Sequence, residues 1–170
     1  ITGATGFFWK HFLAEPDLVN YDVRILSRKK IDSPTLESVR NKFEIVNADL
    51  TSKESLINGL SGVDTLINLA AEVRNREKFY ATNVEGTNNI IESAQVNNVR
   101  KIIHLSSVGV VGMQFSSSEV SIDENAKCFP KNQYEETKSI SENLLKQAGK
   151  EGKFNLVVLR PTNVFGEEHT

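Results

Sequence analysis

Short apolar runs alternate along the chain with longer stretches whose apolar positions recur at helical spacing, the mark of strands interleaved with helices. Asp22–Ser27 reads as a short apolar strand and Phe43–Ala48 as the next. Thr51, Ser52, Lys53 and Glu54 form a capping box, in which a hydroxyl and a carboxylate three places on satisfy orphan backbone donors. A helix is predicted from there to about Leu60. Asp64–Ala71 has the continuous apolar character of a strand buried on both faces. A long helix is predicted over Lys78–Asn97, with Phe79, Asn83, Ile90 and Ala94 on roughly one side. Lys101–Ser107 reads as another strand, and a helix over Gln133–Ala148 and a strand over Phe154–Arg160 complete the pattern. Between them, Gly112–Asn132 is polar and irregular; loops of that length tend to be functional or mobile.

Alternating strands and helices imply an α/β fold: a doubly wound parallel sheet of Rossmann type with right-handed crossovers. Ligands bind such sheets beyond the carboxyl ends of the strands. Gly3–Gly6, Ser27 and Arg28, Asp49 and Leu50, Ala70 and Ala71, Ser106 and Ser107, and Pro161–Asn163 all follow predicted strands. That shared location carries more weight than any one motif. Residues 1–170 read as one domain without internal repeat or linker. Ile1 to Gly3 resemble the end of a strand whose beginning is missing, and the tail stops just after a strand and turn. A longer chain with a further domain is therefore expected.

Composition narrows the class. The chain has 170 residues, 39% hydrophobic and 25% charged, enough for a sizeable core. A net charge of -2 without a basic face argues against nucleic acid as a partner. The single cysteine, Cys128, rules out an internal disulfide framework and fits a reducing compartment. No apolar run approaches the roughly 20 residues that span a bilayer, and no signal peptide precedes the first strand. A cytoplasmic protein acting on a small molecule is expected, with no membrane partner. His11 and His169 lack metal-ligand spacing, and His104, inside an apolar strand, reads as a core or edge residue; no metal site is predicted.

Three features carry chemistry. Thr2-Gly3-Ala4-Thr5-Gly6 joins a strand to a helix; glycines there let backbone amides approach a pyrophosphate at the helix N-terminus. The usual third small residue is replaced by Trp9, a departure from the fingerprint. After the second strand stand Ser27, Arg28, Lys29 and Lys30 where an NAD site usually has an acidic residue. Arginine suits a 2′-phosphate, so NADP is expected, with NAD as the alternative. Asp49 and Leu50 are candidates to hold the adenine. Tyr134 and Lys138 lie four residues apart on one helix face. Removing hydride and proton from an alcohol needs a base beside a bound hydride acceptor, and a neighbouring ammonium is expected to lower the phenol pKa.

The chain resembles the extended short-chain dehydrogenase/reductases, the NAD-dependent epimerase/dehydratase group, over essentially its whole length. The resemblance rests on Thr2–Phe7, Asn68–Ala71, Asn83–Thr87, Ser106–Gly112, Tyr134–Lys138 and Arg160–Gly166, in family order and spacing. It implies that Tyr134 is the catalytic acid/base, that Lys138 is its partner and binds the nicotinamide ribose, and that Ser107 steadies the substrate oxygen. It implies cofactor contacts from Gly3, Thr5, Gly6, Phe7, Phe8, Leu69, Ala70, Ala71 and Asn83. Nicotinamide and substrate would meet at the turn of Pro161, Thr162 and Asn163. Family substrates include nucleoside-diphosphate sugars, flavonols and sterols, and dimers form through the two long helices. Sugar 4,6-dehydratases of the family carry an acid just after the catalytic Ser/Thr; here Val108 and Gly109 follow Ser107. The expected chemistry is thus 4-epimerisation or keto-sugar reduction, with small-carbonyl or sterol reduction and a non-catalytic NADP sensor as alternatives.

Overall fold

The computed structural model describes the chain except residues 5, 7, 10–11, 13–17, 19, 29–42, 113–121 and 167–170. Among the described residues the strands are β1 (Arg24–Ser27), β2 (Glu44–Asn47), β3 (Thr65–Asn68), β4 (Lys101–Leu105) and β5 (Asn155–Leu159). The α-helices are α1 (Lys53–Gly59), α2 (Gly86–Val96) and α3 (Gln133–Lys150). Every strand pair is parallel: β1 with β2, β3 with β4, and β4 with β5. Thr2 joins the two halves, bridging Leu26 on one side and Asn68 on the other. Leu26 N donates to Ile1 O (2.8 Å) and Thr2 N to Ile67 O (3.0 Å). The spatial order is therefore β2, β1, the Thr2 segment, β3, β4, β5. Chain order reverses at Thr2, which is where a doubly wound sheet opens its ligand crevice.

The predicted elements are present, mostly trimmed at their ends. β3 is shorter than the apolar run and is not buried on both faces: Leu66 and Asn68 are buried while Thr65 is exposed. Leu69 and Ala70 leave the ladder to pass directly over Gly3, where a Cβ would stand 2.8 Å from Ala70 N and from the Leu69 carbonyl carbon. Helix α1 is capped by Ser52, whose side chain accepts from Ser55 N, one residue later than the capping box predicts. Thr51 is diverted, because its N–H and hydroxyl both donate to Asp49 Oδ1 (2.9 Å each). The single helix predicted over Lys78–Asn97 is segmented into a 3-10 turn (Arg76–Lys78), a π-helical turn (Tyr80–Glu85) and α2. Its predicted inner face holds nonetheless, with Phe79, Asn83, Ile90 and Ala94 all buried.

One core layer packs α1, α2 and α3 on the sheet through Leu56, Leu66, Ile90, Ile102 and Leu145. Burying each such side chain contributes about 2 kcal/mol. A second cluster on Ile25 and Ala4 is built around Trp9. Trp9 is 2% exposed, with its ring 6.3 Å from Phe12 and 6.4 Å from Phe43. The bulky departure from the glycine fingerprint is therefore a core residue. Helix α3 differs from its neighbours: its inward face carries Thr137, Lys138, Ser141 and Glu142 beside Leu145 and Ala148. Asn132 caps it by accepting from Glu135 N (3.0 Å), and Glu135 Oε2 accepts from Lys131 N (2.7 Å).

Candidate active site

Two cavities bear on the candidate site, the first of them beyond the carboxyl ends of the strands. The first, about 150 Å³, is lined by Thr2, Gly3 and Gly6, by Ser27 and Arg28 after β1, by Asp49 and Leu50 after β2, and by Leu69–Glu72 after β3. These are the positions expected to hold a dinucleotide. Gly3 has φ +77°, and any Cβ there would strike the Leu69–Ala70 backbone, so glycine is required on steric grounds. Gly6 N donates to Gly3 O (3.0 Å), closing the turn. The lining thus fits an extended anionic cofactor: a glycine turn for phosphate and an arginine where β1 ends.

Several predicted contacts have more specific roles. Asp49 is engaged by Thr51 in a turn, and the Leu50 carbonyl accepts from Asn89 (2.8 Å), so this corner is rigid. Asn83 is fully buried. Its side chain accepts from Glu72 N (2.8 Å) and donates to Glu72 O (3.1 Å) and Thr137 Oγ1 (3.2 Å). Asn83 therefore shapes the groove by clamping its wall to α3, and the π-helical turn is what carries it there. The Glu72 carboxylate accepts from the N–H groups of Val73, Arg74 and Asn75 (3.1, 3.0 and 3.1 Å). The bonds from Arg74 and Asn75, with lesser help from the Arg28 charge, hold its pKa below the usual range. Thr5 and Phe7 lie outside the described residues; Phe8 is half-buried.

The second cavity, about 660 Å³, is lined by Val73, Arg74, Arg76, Phe79, Asn132, Gln133 and Tyr134. Tyr134 sits in the first turn of α3 with its ring edge-on to Phe79 at 5.7 Å. Lys138, one turn on, is 2% exposed. Its Nζ donates to Leu105 O (2.7 Å) and lies 3.4 Å from His104 Nε2. It makes no hydrogen bond with the Tyr134 hydroxyl. Here the structure corrects the sequence reading. Burial raises the phenol pKa, instead of the lysine lowering it. Burial also lowers Lys138 to about 8, against the opposing pull of Glu142.

Ser107 ends β4. Its hydroxyl accepts from Gly109 N (3.1 Å), which leaves its proton for donation. Val108 N donates to Pro161 O (2.9 Å) and Ser106 N to Leu159 O (2.7 Å), so Ser107 and Pro161 are held side by side. Thr162 and Asn163 follow and are exposed. Two supporting groups escaped the sequence reading. His104 is buried between Asn68 and Lys138. Glu142 is bound bidentately by Arg160 (2.5 and 3.0 Å) and by Lys146 (2.5 Å). The available signal was the four-residue spacing of Tyr134, Lys138, Glu142 and Lys146, which puts all four on one helix face. Among the described residues no His/Cys/Asp/Glu cluster suits a metal ion, and no helix is long and apolar enough to cross a membrane.

Known proteins are similar to this chain in sequence and in fold. The chain is 28% identical to an N-acetyl-alpha-D-glucosaminyl-diphospho-ditrans,octacis-undecaprenol 4-epimerase of Escherichia coli O157:H7, over 99% of this chain and 49% of that protein. It is 30% identical to the decarboxylating sterol-4-alpha-carboxylate 3-dehydrogenase of Saccharomyces cerevisiae, over 98% of this chain and 50% of that one. The chain thus spans about half the length of these curated relatives. The crystal structure of a double mutant of the dTDP-glucose 4,6-dehydratase DesIV from Streptomyces venezuelae, with NAD bound, superposes with TM-score 0.83 at 25% identity, covering 98% of this chain and 56% of that one. The sheet order, the glycine turn under Ala70 and the Tyr134/Lys138 helix accord with a family profile matching residues 1–170: the chain belongs to the NAD dependent epimerase/dehydratase family.

Proposed function

We propose that the protein is an NAD(P)-dependent oxidoreductase or epimerase acting on a nucleoside-diphosphate sugar, as a 4-epimerase or keto-sugar reductase. The observation that carries this reading is that the Leu69–Glu72 wall of the glycine-turn groove runs on in the chain into Val73 and Arg74, which line the cavity of Tyr134. On this reading a hydride carrier in the groove serves a proton carrier at Tyr134. A bound nicotinamide supplies the hydride acceptor or donor. Gly3, Gly6 and Arg28 hold its phosphates, and Leu69–Ala71 form the groove wall. Tyr134 moves the proton at the substrate oxygen, and Ser107 donates a hydrogen bond to the same oxygen.

Arg74 and Arg76 line the Tyr134 cavity, and neither guanidinium has an ion-pair partner among the described residues. That lining favours an anionic substrate such as a sugar diphosphate. The activity in the name of the Escherichia coli relative supports the 4-epimerase reading. The name of the yeast relative keeps a sterol-like substrate as the second reading. Dehydration is disfavoured because Val108 and Gly109, the two residues after Ser107, carry no acid.

The test is to incubate the full-length protein with NADPH or NADH and a panel of keto sugars, nucleotide sugars, sterols and small ketones, following nicotinamide absorbance and sugar configuration. Turnover confined to nucleotide sugars supports the proposal. Turnover only on sterols or small ketones transfers it to the second reading, and tight dinucleotide binding with no turnover makes the protein a sensor. Arg28→Ala is expected to weaken NADP at least tenfold more than NAD, about 1.4 kcal/mol; equal losses remove the 2′-phosphate role. Gly3→Val is expected to abolish saturable binding of both dinucleotides in a fluorescence titration, because the new side chain collides with Ala70.

A further inference from the structure

The segment from Glu72 to Lys78 is exposed from Val73 onward, yet most of its N–H groups are bound to protein. The Asn83 side chain holds Glu72 at both its N–H and its carbonyl (2.8 and 3.1 Å). Glu72 Oε1 then accepts from the N–H groups of Val73, Arg74 and Asn75 (3.1, 3.0 and 3.1 Å). Asn75 carries the order on, its Oδ1 accepting from Glu77 N (3.1 Å) and its carbonyl from Lys78 N (3.0 Å). Water serves exposed N–H groups without any of this, and ordering such a segment costs backbone entropy. What the ordered segment carries is Arg74 and Arg76, both of which line the cavity of Tyr134. Among the described residues neither guanidinium forms an ion pair, although Glu72 and Glu77 are close by in the chain. Glu72 takes Arg74 by its backbone N–H and leaves the guanidinium for a ligand.

We propose that Glu72 is a positioning residue: its carboxylate shapes the turn of Val73, Arg74 and Asn75 so that Arg74 meets an anionic oxygen group of the substrate, a phosphate or a carboxylate, in the cavity of Tyr134. The proposal rests on the reading of that cavity as the substrate site and adds to it the residue that prepares the site. A guanidinium offers a planar fork to two oxygens of either group. On a turn fixed beforehand, only the arginine side chain remains to be ordered when the anion binds. A carboxylate suits the task because its hydrogen bonds to backbone N–H groups are charge-assisted. The bonds from Arg74 and Asn75 also hold its pKa below the ordinary carboxylate range, so it stays ionised at neutral pH. Glu72 lines the dinucleotide groove as well, so one residue serves the wall of the groove and the turn that enters the cavity.

The experiment is an equilibrium titration of the full-length protein, saturated with reduced dinucleotide, against UDP-glucose and, separately, glucuronate. Arg74→Ala is expected to weaken at least one probe about tenfold, the scale of a lost charge-assisted contact. Dependence for UDP-glucose makes the group a phosphate, and dependence for glucuronate makes it a carboxylate. Glu72→Ala is expected to match that loss, and Glu72→Gln, which keeps an acceptor oxygen, to recover most of the affinity. The double variant is expected to bind no more weakly than Arg74→Ala alone, because Glu72 acts through Arg74. A further loss in the double variant overturns the proposal, as does unchanged affinity in Glu72→Ala. Affinity for both probes independent of Arg74, or binding of neither, overturns it too. Should Glu72→Ala not fold, amide exchange in the unsubstituted protein decides: protection of Val73, Arg74 and Asn75 supports the proposal, and exchange as fast as in a free peptide overturns it. Binding and not turnover is read, so inactivity towards nucleotide sugars refutes the proposed function while this result stands. Turnover of nucleotide sugars with no dependence on Arg74 refutes only the role of Glu72.

Discussion

Tyr134→Phe is expected to lower turnover by about a thousandfold, the usual scale for losing a positioned acid or base, while dinucleotide affinity changes little. The expectation follows from where the atoms lie. The phenylalanine ring keeps the edge-on contact with Phe79 at 5.7 Å, so packing is preserved and only the hydroxyl is lost. Tyr134 lines the second cavity and not the glycine-turn groove, so cofactor binding retains its contacts. Steady-state kinetics and a dinucleotide titration on the same preparation separate the two. Surviving activity would remove Tyr134 from the proton-transfer role and leave the reaction without its acid/base. Because burial raises the phenol pKa, the resting side chain is the acid. The reductive direction is therefore expected to show no loss from Tyr134 titration across neutral pH.

The second large effect is on stability. Glu142→Gln is expected to cost about 3 kcal/mol, the scale of breaking a buried ion pair and leaving one charge behind. The Glu142 side chain is 1% exposed and bound by Arg160 and Lys146. Burial alone would raise its pKa, but the hydrogen bonds from Arg160 and Lys146 win and hold it at about 2 against an ordinary 4.5. The folded pKa lies below the unfolded one, so this stabilisation is complete above about 4.5 and is lost as pH falls towards 2. Denaturant melts at a series of pH values test both parts. The variant is expected to be less stable at neutral pH and to lack this component of acid sensitivity. Equal stability would mean that Arg160 and β5 are held by packing alone. Arg160 directly precedes Pro161–Asn163, so the variant also tests whether this ion pair positions the turn beside Ser107.

Much of the architecture was legible because its signals are local. The alternation of apolar runs located the strands, and glycine after the first of them located the phosphate turn. Four-residue spacing put Tyr134 and Lys138 on one helix face. The misreadings have specific causes. Thr51 competes for two partners, and the Asp49 turn wins over the helix cap. The long helix breaks into a π-helical turn because Asn83 reaches Glu72 and Thr137, neither of which is local to it. Trp9 looked like a defect in the glycine fingerprint, yet it fills a core formed with Phe43 from a distant segment.

Residue order by itself determined the alternation of strand and helix, the edge of the sheet where the candidate site residues gather, and the shared helix face of Tyr134 and Lys138, since each depends on neighbours within a turn or a strand. Only tertiary structure decided the charge state of that pair. Desolvation and the direction of a hydrogen bond depend on what comes to lie alongside. For Lys138 that is His104 and Leu105 on β4, more than thirty positions away along the chain, and no local pattern encodes their approach.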